Sequence, residues 1–348
     1  MQGLKRKSRR SESVRERTLD MTTGPIWRNM VAFAVPVFLG QLFQQLYNTA
    51  DSMIVGNFSG KDALAAVASS GNLIFMLTGF FMGVSLGAGV VISRYFGAKD
   101  YETLEAAIHT NIAFGAVCGV LLSILGVVLA PQILILMQTP QDVLPLSTTY
   151  LRLYFLGAFF SLMYNTCMCI LNAVGDSRTP LYYLIFSSVV NVVFDLIFVG
   201  TFQMGVAGAA IATVISQAVS AVMCFVKLLR SNGPEHVVWK RIRFDGPMLR
   251  QICEQGIPSG VQNSIISIAN VVVQSNINAF GSDAMAGCGA YSKIEGFVFL
   301  PITAFTAAIT TFIGQNLGAK EYDRAKRAAR FGIFCAMFLA ELLGVILY

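Results

Sequence analysis

Charge is scarce in this chain. Of its 348 residues 13% are Asp, Glu, Lys or Arg, while 55% are hydrophobic and the mean hydropathy is +0.63. Soluble domains carry about 25% charge, so a soluble core, enzymes included, does not read this way. Histidine is nearly missing: His109 and His236 lie far apart near span ends, and neither sits in a metal-ligand pattern such as HExxH. Seven cysteines (Cys118, Cys167, Cys169, Cys224, Cys253, Cys288, Cys335) are scattered, and the Cys167-x-Cys169 pair has neither metal nor redox spacing. They read as small apolar packing residues. No short apolar stretch ends at a small-residue cleavage site before Met21, so no cleavable signal is expected.

What the chain does have is apolar runs of membrane-crossing length, one after another. Nine spans are expected, at about 29–55, 62–93, 105–130, 147–173, 180–202, 205–229, 248–280, 284–315 and 324–347. Backbone groups in lipid must be satisfied within the segment, which makes this an all-α polytopic membrane protein. The second, seventh and eighth spans exceed the ~20 residues a crossing needs, so they must tilt, bend or protrude. Pro36, Pro258 and Pro301 are the expected bend points, because proline removes a helix hydrogen bond.

The loops predict orientation. Residues 1–23 form a tail whose Lys5, Arg6, Lys7, Arg9, Arg10, Arg15 and Arg17 outnumber Glu12, Glu16 and Asp20. It is short, without aromatic residues and without a fold of its own, so it reads as topology-setting and not as a nucleic-acid arm. Arg94, Lys99, Arg178, the run from Lys227 to Arg250, and the run from Lys320 to Arg330 fall on the same side as the tail. Opposite them, Lys61 is the lone lysine, and Pro131–Pro145 has no Lys or Arg. The expectation is a multi-pass protein of the inner (plasma) membrane with a cytoplasmic N-terminus.

The chain also repeats itself. Phe96-Gly-Ala-Lys-Asp-Tyr101 recurs as Leu317-Gly-Ala-Lys-Glu-Tyr322, an offset of 221, and Asp62-Ala-Leu-Ala recurs as Asp283-Ala-Met-Ala at the same offset. Pro36 recurs as Pro258. Parallel repeats of this kind build transporters from two equivalent bundles. The expected organisation is the tail at 1–23, a complete six-helix N-lobe at 24–230, a linker at 231–247 and about three helices of a C-lobe at 248–348. With six spans against three, the chain reads as part of a protein of about twelve helices, or as a truncated gene product.

Polar residues inside the spans are where function is expected. Gln41, Gln44, Asn48 and Asp51 recur at helical spacing on one face of the first span, and Asn191 and Asp195 share a face of the fifth. At about 1.5 Å per residue, Asp195 and Thr213 lie about 12 Å below the outer ends of their spans and Asp51 about 7 Å below its own. The three can therefore share one level. Two carboxylates, an amide and a hydroxyl are hard oxygen ligands that suit Na+, or a pair of acids that holds a proton. Plainer readings stand beside these: Asp51 as a helix-end acid near the surface, Asp195 as a buried polar contact, Thr213 as a packing residue. The stripe Asn263, Ser267, Asn270, Gln274 fits cavity lining or interhelical bonding equally well. Glu295 is a candidate second acid beside Lys293, or half of an interfacial pair. Asn165, Asn172 and Gln217 complete the candidate cavity lining. The Gly-Ala-Lys loops resemble no phosphate cradle.

From Gly24-Pro25-Ile26 onward the chain resembles the MATE family, the multidrug and toxic compound extrusion transporters. The residues that carry the resemblance are Asn48-Thr-Ala-Asp51 with Val55-Gly56, Tyr95-Phe-Gly-Ala-Lys99, Gly175-Asp-Ser-Arg-Thr-Pro180, Asn191-Val-Val-Phe-Asp195 and Leu317-Gly-Ala-Lys320. Their order on a duplicated helical chain is more specific than any one of them. The resemblance implies two lobes that rock about a central cavity, and export of organic cations and other small amphipathic compounds against inward Na+ or H+, with no other cofactor. It also implies a cation site made of Asp51, Asn191, Asp195 and Thr213, which would be the Na+ ligands if Na+ is the coupling ion. Some members place a glutamate near the middle of the seventh helix; here GIPSGVQNSIISIAN has no acid after Pro258. The expected partners are small cationic substrates and membrane lipids, with no nucleic acid, and the protein is expected to act as a monomer and not as an enzyme. Rival readings are a flippase for a lipid-linked precursor, whose phosphates want cavity arginines, a channel, and an inactive fragment.

Overall fold

The computed structural model describes residues 19–136, 143–278 and 282–347, which leaves the tail through residue 18 outside the described residues. Among the described residues there are nine α-helices and no strand. They are α1 Ile26–Ala98, α2 Tyr101–Leu136, α3 Leu144–Leu156, α4 Ala158–Ala173, α5 Arg178–Asp195, α6 Gly205–Arg230, α7 Gly246–Asn278, α8 Ser282–Gly318 and α9 Tyr322–Leu347. Six helical segments of the described residues are long and apolar enough to cross a membrane, and the pair α3–α4 makes a seventh if it crosses as one. The protein is a multi-pass helical membrane protein.

Two breaks shape the bundle. The first two expected spans are the two arms of α1, which divide at Gly60, where φ +86° and ψ −177° suit only a residue without a Cβ. Val55 of the first arm (26–59) packs in one cluster with Ala63, Ala66 and Val67 of the second (61–98), so the arms fold back on each other. The fourth expected span is not one helix. It bends by 48° at Gly157 into α3 and α4. A Cβ at Gly157 would stand 2.3 Å from the Val214 side chain, so only glycine lets this corner seat on α6. Pro36, Pro258 and Pro301 lie inside α1, α7 and α8 respectively.

Apolar burial does little to hold helices together in lipid, since the surrounding solvent is as apolar as leucine; close backbone packing and interhelical hydrogen bonds carry the load. The second arm of α1 meets α7 in this way. A Cβ at Gly83 would lie 2.5 Å from Gly260 Cα, and one at Gly87 would lie 2.3 Å from Gly256 Cα. Asn263 of α7 also donates to the Gly79 carbonyl at 3.3 Å.

The duplicated Gly-Ala-Lys motif folds identically twice. α1 and α8 are both followed by a left-handed lysine, Lys99 at φ 57° and Lys320 at φ 62°. In each copy the lysine N–H and the next N–H reach back to the last helical turn: Lys99 to Phe96 and Asp100 to Tyr95, then Lys320 to Leu317 and Glu321 to Asn316. The copies also cross. A Cβ at Gly314 would strike Ser93 Oγ, and these two residues are 221 apart, so each meets its own counterpart. Around that point Gly97 lies against Gln315 O and Gly318 against Arg94 O, which is the reciprocal contact of a local two-fold axis.

The segment after α6 is pinned to α2. His109, buried, donates from Nδ1 to the Glu105 carbonyl (2.7 Å) and accepts the Val238 N–H at Nε2 (3.0 Å). The Asp245 N–H reaches Thr110 Oγ1 at 3.2 Å, and Arg241 pairs with Glu105 at 2.7 Å. Asp176 in the Gly175-Asp-Ser-Arg turn starts α5: its carboxylate accepts the Thr179 N–H at 3.0 Å and the Thr179 hydroxyl at 2.6 Å.

Candidate functional site

Two chambers lie inside the bundle. The larger, about 480 Å³, is walled by both arms of α1, α3, α4 and α6. The smaller, about 240 Å³, lies between α1, α4, α5 and α8. Gln44, Met82, Ser85 and Asn165 line both, and so form the neck between them.

Asp51 stands on the wall of the larger chamber, in the first arm of α1, and is 7% exposed. Behind it, on α5, Asp195 is fully buried, and the two carboxyl groups are neighbours. Three of their four oxygens, Asp51 Oδ1 and both of Asp195, have no hydrogen-bond partner within the protein. Asn191, one turn earlier on α5, is fully buried with both amide atoms unpartnered. Thr213 of α6 lines the same chamber as Asp51. Of the four expected cation ligands, Asp51 and Thr213 therefore line the larger chamber, Asp195 neighbours Asp51, and Asn191 is buried one turn away on α5. Buried carboxylates and amides are almost always satisfied in folded proteins, so these oxygens are free to accept a proton, a water molecule or a cation.

The backbone at Asp195 was not legible in the sequence. The expected span runs on as a regular helix through residue 202, but directly after Asp195 the chain widens into a π-helical turn, Leu196–Thr201. π-turns mark functional positions in many helices. The rings of Phe194, Phe198 and Phe202 stack along it at 5.3 and 6.4 Å. The i, i+4 spacing of those rings is visible in the sequence, although it does not by itself signal the widening.

The amide candidates divide between the chambers. Asn48 and Gln217 line the larger, Gln41 and Asn172 the smaller, and Gln44 and Asn165 the neck. Gln41 Oε1 also accepts the Thr303 hydroxyl of α8 at 2.8 Å. Asn270, exposed on α7, and Glu295, half-buried on α8, line neither chamber. The side chains of Gln274 and Lys293 lie outside the described residues. Of the α7 stripe, Asn263 makes the interhelical bond to α1 described above.

Three tyrosines escaped sequence reasoning. Tyr47, Tyr150 and Tyr154 all line the larger chamber; Gln217 Nε2 donates to the Tyr47 hydroxyl at 3.4 Å, and Tyr150 and Tyr154 stack at 6.4 Å. The available signal was positional: Tyr47 lies between Gln44 and Asp51, and Tyr150 and Tyr154 are one turn apart. Among the described residues no Lys or Arg lines either chamber. The chambers thus combine an acid, amides and aromatic faces, a chemistry that would suit a flat cation or an amphipathic neutral molecule.

Comparison with known proteins identifies the family and the fold. The MatE family model matches residues 36–197 and 258–348. A probable multidrug resistance protein of Bacillus subtilis, YoeA, is 32% identical over 330 residues, covering 93% of this chain and 71% of its own length. The multidrug export protein MepA of Staphylococcus aureus is 23% identical over 297 residues, 85% of this chain and 66% of its own. Among solved structures, a MATE protein in a bent conformation superposes with a TM-score of 0.84 at 25% identity, over 92% of this chain and 71% of that one. A Vibrio cholerae MATE transporter does so with a TM-score of 0.85 at 22% identity, over 93% and 73%. The chain spans about two thirds to three quarters of the length of these proteins.

Proposed function

Because the chain belongs to the MatE family of multidrug efflux transporters, we propose that it is a secondary antiporter that exports small cationic or amphipathic compounds in exchange for Na+ or H+. The observation that carries this reading is the contact between Asp51 and Asp195, with its unpartnered oxygens. Two buried carboxylates in contact repel one another unless a cation lies between them or a proton is shared. A site that must hold an ion in one conformation and release it in another is what coupling requires. Asp51, Asn191, Asp195 and Thr213 hold the coupling ion, and the amides and tyrosines of the larger chamber, with Gln41 and Asn172 of the smaller, receive the substrate.

In this reading residues 24–230 form one lobe and 248–348 belong to a second, joined by 231–247. The positive charge of the loops supports a cytoplasmic N-terminus and residence in the plasma membrane. The flippase alternative is disfavoured by the chamber walls, where a phosphate-bearing substrate would want arginine and none is present among the described residues. Substrate efflux from proteoliposomes tests the assignment: an imposed Na+ or H+ gradient should drive it. Efflux indifferent to both gradients overturns the antiport.

A further inference from the structure

The Gly-Ala-Lys motif takes no part in the site, yet it forms the tightest approach between the two halves of the chain. A residue 19–23 strap completes it. Met21, fully buried, donates its N–H to Gln315 Oε1 at 3.1 Å, and Gln315 Nε2 donates to the Ala173 carbonyl at 2.9 Å. One fully buried side chain on α8 thus bridges the strap and the end of α4. Asn316 Nδ2 donates to the Met21 carbonyl at 3.1 Å, and Arg324 of α9 donates to the carbonyls of Met21 (3.1 Å) and Thr23 (2.9 Å). On the first-half side the Leu19 N–H donates to the Gly175 carbonyl at 3.2 Å. Tyr95 adds a bond from its hydroxyl to Gln251 Oε1 of α7, at 2.8 Å. Ala173 lines the smaller chamber, so the Gln315 bond lies at the edge of that chamber.

We infer that the crossing of Ser93–Lys99 with Gly314–Lys320, bolted by Gln315 to the strap at 19–23, is a clasp that closes the cytoplasmic face and decides to which side the chambers open. The inference rests on the orientation and alternating access proposed above. Gln315 touches no substrate; it is a positioning residue, and its two hydrogen bonds are made only while the halves are together at this end. Gly97 acts by size. A Cβ there would lie 1.9 Å from Gln315 O, so any other residue pries the crossing apart.

The chain carries its own reporter. Cys169 lines the smaller chamber and is half-buried, whereas Cys167 and Cys224 are fully buried. A membrane-impermeant maleimide is applied to inside-out and right-side-out vesicles bearing the full chain, and labelling is located by peptide mass. With Gln315→Met, which keeps the shape and removes both bonds, and separately with Gly97→Ala, Cys169 labelling from the cytoplasmic face should rise about tenfold, the ratio expected when net hydrogen bonds are lost from one of two conformations. Labelling from the outer face should fall in parallel, and Cys167 and Cys224 should stay unlabelled. Cytoplasmic labelling that does not rise, or labelling that rises equally from both faces, overturns the clasp. If Gly97→Ala does not fold, the shape-preserving Gln315→Met decides alone. A redistribution of Cys169 labelling in a protein whose efflux ignores both gradients would sink the antiport and leave the clasp standing.

Discussion

Asp51 presents its carboxyl group to the larger chamber, and Asp195 backs it from α5 with both oxygens unpartnered. The deeper acid has no alternative partner to relax towards. Asp195→Asn should therefore abolish gradient-driven efflux, a loss of at least about a hundredfold if the ion-coupled step is gone, while leaving membrane insertion and the yield of folded protein unchanged. Asp51→Asn should do the same. Efflux at the parent rate in either variant, measured in proteoliposomes, removes that residue from the coupling site.

The neck offers a specificity test. Met82 lines both chambers from the second arm of α1, beside Gln44 and Asn165. Met82→Trp should obstruct passage by size. Efflux of a bulky planar dye is expected to fall about tenfold while a small quaternary ammonium ion is little affected, since steric exclusion discriminates against large ligands. Equal losses for both would place the neck off the substrate path.

Glycine packing between α1 and α7 should matter for stability and not for chemistry. Gly87→Ala forces a Cβ to 2.3 Å from Gly256 Cα, whereas a Cβ at Gly246 meets nothing within 4 Å. Overpacking costs about 1–3 kcal/mol, so Gly87→Ala should lower the melting temperature in detergent by several degrees. Gly246→Ala is the matched control and should leave it within experimental scatter.

Asp176→Ala should cost about 1 kcal/mol, the usual worth of a side chain that caps a helix start. It removes the acceptor for both the N–H and the hydroxyl of Thr179. Asp176→Asn keeps one acceptor oxygen, enough for the Thr179 N–H, and should recover part of the loss in the same thermal assay.

Much of this molecule was legible beforehand, for reasons that differ by feature. Lipid makes helix the only economical backbone, so hydropathy marked where helices run, although α7 and α9, expected as the seventh and ninth spans, are not among the described segments apolar enough to cross. The repeated Phe96–Tyr101 and Leu317–Tyr322 segments announced a turn that is used twice. Asp51 and Asp195 could be placed at comparable depth from rise per residue, because a helix is a ruler. Breaks were harder. The corner at Gly157 depends on where Val214 sits, which is a tertiary fact, and the π-turn after Asp195 has no composition of its own. The tyrosines around the acid pair were invisible because aromatic residues fill membrane bundles everywhere, and only three-dimensional convergence distinguishes Tyr47 and Tyr150 from packing. The role of Gln315 was hidden for the same reason: its partners, Met21 and Ala173, are remote in sequence.

The meeting of Ser93 with its counterpart Gly314 also has a kinetic meaning. Each half offers the other the same turn, so engagement of Gly97 with Gln315 holds Gly318 over Arg94 at an effective concentration in the millimolar range or above. Contacts linked in this way form and break together. A clasp joined by such a pair of equivalent points, as inferred above, is expected to be either shut or open, with little population between.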